Sequence, residues 1–579
     1  MVEIYDVVIA GGGLAGQCLA RQLKLAKPAL SVAVVDFERR PLPEAAFKVG
    51  EATSELGAHY FAVKLRLRDY LHREHLLKNG LRFFFGDARG PLAGRPEYGP
   101  RDFPPISSFQ LDRGQLENHL RDLNQSAGVT LLEGFGVREI ALGEKEAPHT
   151  TIIRERNGSQ TLALRSTWVV DCTGRRRLLQ KKLNLGVPSP LKHSASWFRV
   201  RGKCDLENFV PADNAAWHGK VPGGIRHRST NHLVGPGYWV WLIPLSSGNT
   251  SVGIVVDERI HPIAGLGTRE QALAWLKAHE PVVAQNLAGF RLMDFLTMPE
   301  FSYDTKQFYS ANRWACVGEA AAFLDPFYSP GSDFIAMGNT MVTRLVTRHF
   351  ESTLEPAAVE QSNATMRMLQ RAFTDVFRDQ YPTFGHAKAM TAKVVWDNSS
   401  YWVFVCQAFF QDIYFNDEYL GRYCRAFERF YQLNLRVQQL FRDWAARGRC
   451  GSGYDYLGYA DFPVAVRSHL ELGQKKTPRR FLEWIEVNQD RFTAWGMVLF
   501  LIAAGEVAPE LRGQLVAEKL TVELLDLNQL EAAVAASRGF RRNSLASEIA
   551  PLKQQMRKLF PDHPALVNRS FTGCAAGEA

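Results

Sequence analysis

"YDVVIAGGGLAGQCLARQL", residues 5–23, decides the fold. A run of β-formers leads into Gly11, Gly12, Gly13 and Gly16, and the apolar residues that follow recur at helical spacing. The order is strand, tight turn, helix. Gly11 permits the turn, Gly13 lets the backbone approach a pyrophosphate, and Gly16 lets the helix pack on the sheet. Leu14 and Ala15 open that helix, whose N-terminus faces the anion. A second strand, "SVAVVDFER" (31–39), contains Asp36, about 20 residues past Gly16, where a carboxylate accepts hydrogen bonds from an adenosine ribose. The spacing predicts an α/β, Rossmann-like dinucleotide-binding domain. A glycine turn without a nucleotide is the bland alternative.

Downstream pieces decide which dinucleotide. "STWVVDCTGRRRLL" (166–179) reads as a strand ending in Asp171, Thr173 and Gly174, and "NRWACVGEAAAFLDPFYSPG" (312–331) as a strand, Gly318-Glu319, a turn and a helix. With Arg113 in "FQLDRGQLENHL", these resemble the FAD motifs of the flavin monooxygenase superfamily with the p-hydroxybenzoate hydroxylase fold. The resemblance implies FAD. It departs from the family pattern at Glu319, where an aspartate usually meets the ribityl chain.

Three further stretches resemble the flavin-dependent halogenases, the match covering roughly the first 350 residues. "KVGEATSELG" (48–57) is similar to their GExT segment beside the flavin, here Gly50, Glu51, Ala52 and Thr53. "YWVWLIP" (238–244) contains WxWxIP, with Trp239 and Trp241 implied in the substrate-cavity wall; alternation of core residues on a strand explains the same pattern. "HLLKNGLRFFF" (75–85) places Lys78 where the halogenases keep an essential lysine. The resemblance implies that reduced FAD reacts with oxygen, that the hydroperoxide oxidises halide, and that Lys78 receives the hypohalous acid. A compact ammonium whose pKa moves on desolvation suits that role. Read locally, "LLKNG" is a helix end with a glycine cap.

"DPFYSPGSDF" (325–334) cuts the other way. The resemblance puts Pro326, Pro330, Gly331 and Ser332 beside flavin and halide, where consecutive backbone N–H groups hold the anion, yet Pro330 has no N–H. Asp333 adds a nearby negative charge. Ser-Pro-Gly is also ordinary turn chemistry, with proline presetting φ and glycine tolerating positive φ.

Composition sets the remaining bounds. A chain of 579 residues, 46% hydrophobic with a formal charge of +9, holds several domains and suits an acidic partner. Zinc-finger spacing, RNA-binding aromatics and basic blocks are missing, which argues against nucleic acid. Eight scattered cysteines without metal spacing, and no signal peptide, fit a cytoplasmic location. "AWGMVLFLIAAGEVA" is too short to cross a bilayer and is expected to be a buried helix. The expected architecture is a discontinuous FAD-binding domain (1–60, 105–185 and 300–352), an inserted mixed-sheet substrate domain (61–104 and 186–299) and a helical C-terminal region (353–579). Its aromatic stretch 394–433 is expected to be core or the wall of a substrate chamber.

The expected function is that of an oxygen-using FAD oxidoreductase of the halogenase-like branch. Its substrate would be a bulky aromatic or conjugated molecule, either free or tethered to an acidic carrier protein or peptide, with reduced flavin from NAD(P)H or a partner reductase. Two alternatives stand beside it: hydroxylation without halide, and a flavoprotein modification or assembly factor for a protein partner.

Overall fold

The computed structural model describes residues 3–43, 49–448, 451, 453–511, 513–539, 543–560 and 566. Its first sheet runs, in spatial order, Tyr309–Ser310, Trp314–Cys316, Thr161–Asp171, Glu3–Ala10, Val32–Asp36 and Thr130–Glu133. Glu3–Ala10 lies parallel to both neighbours, pairing Ala10 with Asp171 on one side and with Val35 on the other. Val7 to Ala10 and Val32 to Val35 are almost wholly buried, as in a parallel sheet covered on both faces. The helix Leu14–Ala26 follows the glycine turn directly. Gly16 is required there: a Cβ on it would lie 1.9 Å from the Gly11 carbonyl oxygen.

The second sheet has eight strands, with Leu81–Phe84 parallel to Thr230–Gly235 and an antiparallel run from there through Tyr238–Pro244 and Thr250–Asp257 to His193–Val200. It separates two cores. Tyr238, Val240 and Leu242 pack with Trp217 and Trp275 on one face, while Trp239, Trp241 and Ile243 face the main core on the other. Strand alternation does this.

Beyond residue 355 long helices dominate, notably Asp417–Arg447 and Pro478–Val507. The apolar stretch after Ala494 is the buried part of the latter helix. Within this mostly helical region Tyr456–Gly458 pairs in parallel with Glu97–Gly99 and closes the edge of the second sheet. Its extended backbone satisfies an edge that would otherwise stay unpaired. Residues 61–104 also differ from a pure sheet segment, since they include the helix Arg68–Glu74. No helix among the described residues is long and apolar enough to cross a membrane.

Candidate active site

The glycine turn, the 49–52 segment, the Trp239–Ile243 strand and the 317–335 turn enclose a cavity of about 460 Å³. It is lined by most of the expected cofactor residues: Gly13, Leu14, Ala15, Gly50, Glu51, Ala52, Arg113, Gly174, Gly318, Glu319, Pro326, Gly331 and Ser332. Trp239, Trp241 and Pro330 complete its wall, so the two tryptophans are core and cavity residues at once.

These residues fit FAD on the structure's own terms. A Cβ on Gly13 would meet no protein atom within 4 Å, which leaves the open side a pyrophosphate needs. Glu51 Oε2, Trp197 Nε1 and Arg113 Nε, on residues that line the cavity, are buried without a hydrogen-bond partner among the described residues. Glu51 is steered by Arg199, whose guanidinium bonds Glu51 Oε1 and Asp294 Oδ2 at 2.6 Å each. Arg113 is held by the Val49 carbonyl at 2.6 Å and by Glu117 at 2.7 Å. Burial raises the Glu319 carboxyl, opposed by the charges of Arg175 and Arg113.

The other expected cofactor residues lie behind the cavity wall. Gly11 and Gly16 shape the turn, and Asp36 pairs with Arg121. Asp171 is committed to its own turn, accepting from Thr173 N at 2.9 Å, Thr173 Oγ1 at 2.6 Å and Leu179 N at 2.7 Å. The Thr53 hydroxyl is likewise committed, exchanging hydrogen bonds with the Phe109 backbone. A buried carboxylate or hydroxyl takes the nearest unpaired amides, and for these two the nearest belong to the protein.

Lys78 stands elsewhere. It follows the short strand Leu76–Leu77 rather than ending a helix, although Gly80 does take positive φ. It lines a second, smaller chamber of about 120 Å³, which it shares with Ser54, Glu55, Asp333, Tyr401 and His469. Pro330 belongs to both walls and is a shared partition. Lys78 is 3% exposed and donates to the Thr53 carbonyl at 2.8 Å. Burial pulls its pKa down to about 8, against the attraction of Glu55 and Asp333.

The 325–334 turn resolves differently from its sequence. Positive φ falls on Ser329, at 61°, while Gly331 opens the helix Gly331–Phe350 with Pro330 as its N-cap. Proline is tolerated there because a helix start leaves its first N–H groups without intrahelical partners. Asp333, in the first turn, does not stand free beside an anion. It accepts from Ser54 Oγ, Gly57 N at 3.0 Å and Tyr401 Oη at 2.9 Å, and burial lifts its pKa to about 7. Glu55 behaves oppositely: burial would raise it, but His469, 3.4 Å away, and Trp402 hold it below the usual carboxylate range.

Tyr401, Trp402 and Val405 reach this chamber from a π-helical turn, Tyr401–Cys406, of the aromatic stretch. Sequence reasoning missed Glu55, Tyr401, His469 and Arg199 as site residues. "SE" after GExT was a signal for Glu55; the others lie far away in the chain.

A dinucleotide-type cavity, joined through one proline to an aromatic chamber with a buried lysine, defines an FAD-dependent oxidoreductase of the halogenase-like kind. The comparisons agree. The tryptophan halogenase family model matches residues 105–389. The flavin-dependent halogenase chlA of Dictyostelium discoideum is 26% identical over 439 residues, 71% of each chain. The 1H-pyrrole-2-carbonyl-[peptidyl-carrier protein] chlorinase of Pseudomonas fluorescens is 27% identical, covering 56% of this chain and 72% of its own. Among solved structures, halogenase PltM in complex with phloroglucinol and FAD shares the fold at a TM-score of 0.61 and 15% identity, covering 83% of this chain and 96% of its own. The chain resembles the flavin-dependent halogenases, the family model covering just under half of it.

Proposed function

We propose that this protein halogenates an electron-rich aromatic ring, with Lys78 carrying the oxidised halogen. One observation carries the reading: the buried ammonium of Lys78 lies in the chamber beside the flavin cavity, with Pro330 the one described residue common to both walls. FAD, when bound, supplies the oxidising equivalents from oxygen, and NAD(P)H or a partner reductase supplies its electrons. Gly13, Arg113, Glu51 and Glu319 hold and orient the cofactor. The apolar walls keep water from the reactive halogen.

Phe373, Phe377, Trp402 and Phe430 wall the chamber. Its volume of about 120 Å³ is below the roughly 150 Å³ of an apolar cavity that takes benzene, so at most one small ring enters it. The bulk of a larger substrate, or a carrier protein attached to it, then stays outside. The basic charge of +9 favours an acidic carrier, and two relatives are named for a pyrrole-2-carbonyl group on a peptidyl-carrier protein.

Hydroxylation without halide is the second reading, favoured by Pro330, which offers no N–H to an anion. Product mass spectrometry with bromide, with chloride and without halide separates the two, using free phenols and carrier-bound pyrrole under reduced FAD. Halogenated product only when halide is present supports the proposal. An oxygenated product formed at full rate in halide-free buffer overturns it.

A further inference from the structure

The chamber around Lys78 holds one group whose hydrogen bonding is incomplete. His469, in the helix Pro463–Leu470, is 1% exposed, and its Nδ1 has no hydrogen-bond partner among the described residues. Its Nε2 has only the Glu55 carboxylate, 3.4 Å away at Oε1. No other described residue of the chamber wall carries a buried side-chain nitrogen or oxygen without a partner. Such an atom costs stability, and on the wall of a cavity it points to a ligand that completes it. We propose that His469, oriented by Glu55, takes the hydroxyl proton of a phenolic ring seated in the chamber and so holds the ring as its phenolate. This role rests on the halogenase reading of the chamber and adds the ring substituent it selects.

Geometry assigns the parts. The Glu55 carboxylate facing Nε2 keeps the proton on that nitrogen, which leaves the lone pair on Nδ1. A phenol donates its O–H there. The O–H bond breaks, its electron pair stays on oxygen, and an N–H bond forms at Nδ1, so only a proton moves and no further reagent is needed. Glu55 then offsets the imidazolium charge. A phenolate is richer in electrons than a phenol and reacts faster with an electrophilic halogen.

The neighbours of the imidazole do not compete for Nδ1. The Trp402 ring lies 4.6 Å from that of His469, and the Tyr459 ring stands edge-on at 5.9 Å. The Tyr459 hydroxyl is committed to the Ala465 carbonyl at 3.2 Å. Glu471, just past the helix, is paired with Arg467 at 2.9 Å and Trp484 at 2.8 Å. Burial keeps the Cys406 thiol neutral. Elsewhere on the wall, Lys78 donates to the Thr53 carbonyl, and Asp333 accepts from Ser54, Gly57 and Tyr401. Glu55 stays ionised: burial raises its carboxyl, but His469, Trp402 and Lys78 together hold it below the usual carboxylate range.

Binding alone tests this. FAD-loaded protein is titrated with phenol carrying carbon-13 at the hydroxyl-bearing position, near neutral pH, where a free phenol, with a pKa of about 10, keeps its proton. On binding, the labelled carbon should move downfield, towards phenolate. Anisole, which has no hydroxyl proton, should bind at least about tenfold more weakly. His469→Phe keeps an aromatic ring and should lose both the downfield shift and the preference for phenol over anisole. His469→Asn offers an acceptor that takes no proton, so some preference should remain while the bound phenol stays neutral. Glu55→Gln removes the offsetting charge and should move the onset of the downfield signal to higher pH, which a change in packing would not do. A neutral phenol signal in wild type, equal affinity for phenol and anisole, or no saturable binding overturns the proposal, as does a His469→Phe protein with wild-type shift and affinity. Should His469→Phe lose FAD or melt early, the wild-type shift and the anisole comparison decide. A protein that binds phenolate here yet makes no halogenated product fails the halogenase reading, a different failure from an indifferent His469.

Discussion

The indole N–H of Trp239 donates a 2.8 Å hydrogen bond to the Tyr381 hydroxyl, which itself donates to Asp325 at 2.7 Å. Asp325 also meets His193 Nδ1 at 2.7 Å. One buried chain therefore ties the tryptophan strand, the turn before Pro330 and the helical region together. Tyr381→Phe leaves the buried indole donor without its acceptor, while Asp325 Oδ2 keeps His193, a loss of about 1–3 kcal/mol. Thermal unfolding should show a lower melting temperature, and an unchanged one would remove the tie from the account.

Two glycines of the same turn should fail in different ways. Gly13→Val places its side chain in open space, so the apoprotein should melt as wild type does while FAD is lost on gel filtration. Gly16→Val drives atoms into the Gly11 carbonyl and should destabilise the protein before any cofactor is added. Full flavin retention by Gly13→Val would refute the placement of the pyrophosphate.

Lys78→Ala should retain FAD and oxygen consumption, because Lys78 does not line the flavin cavity. Halogenated product per oxygen consumed should drop by orders of magnitude. Lys78→Arg should not rescue it, since a guanidinium stays protonated and cannot offer a lone pair. A Lys78→Ala enzyme with normal coupling would rule out the relay.

Pro330 has φ of −74° and ψ of −5°, a backbone that threonine adopts without strain. Pro330→Thr adds an N–H at the start of the Gly331–Phe350 helix. A hydrogen bond to a charged group contributes about 1.5–3 kcal/mol, so the apparent affinity for chloride or bromide should tighten by about tenfold or more. Steady-state halide titration reads this directly, and an unchanged constant would place the halide elsewhere.

Wherever adjacent residues cooperate, the architecture was legible in the sequence. The GxGxxG turn, the strand ending at Asp171 and the alternation of Trp239, Trp241 and Ile243 each act through neighbours along the chain, and each took its expected place. For Asp36, Asp171 and Thr53 the motif fixes where a side chain starts and not which protein groups it meets. Thr173, Leu179, Phe109 and Arg121 are those groups. The strand Tyr456–Gly458 escaped notice because its partner, Glu97–Gly99, is more than 350 residues away.

By itself, then, the sequence determined a dinucleotide-binding α/β domain and a flavin-type turn. Only the tertiary structure decided which groups face one another. It anchored Lys78 and Asp333 to the successive residues Thr53 and Ser54, set Glu55 against His469, and made Pro330 a wall common to two cavities. The physical reason is that pKa values, desolvation and access depend on distances through space, and Asp333 and Tyr401, 68 residues apart in the chain, reach hydrogen-bonding distance only once the helices have packed.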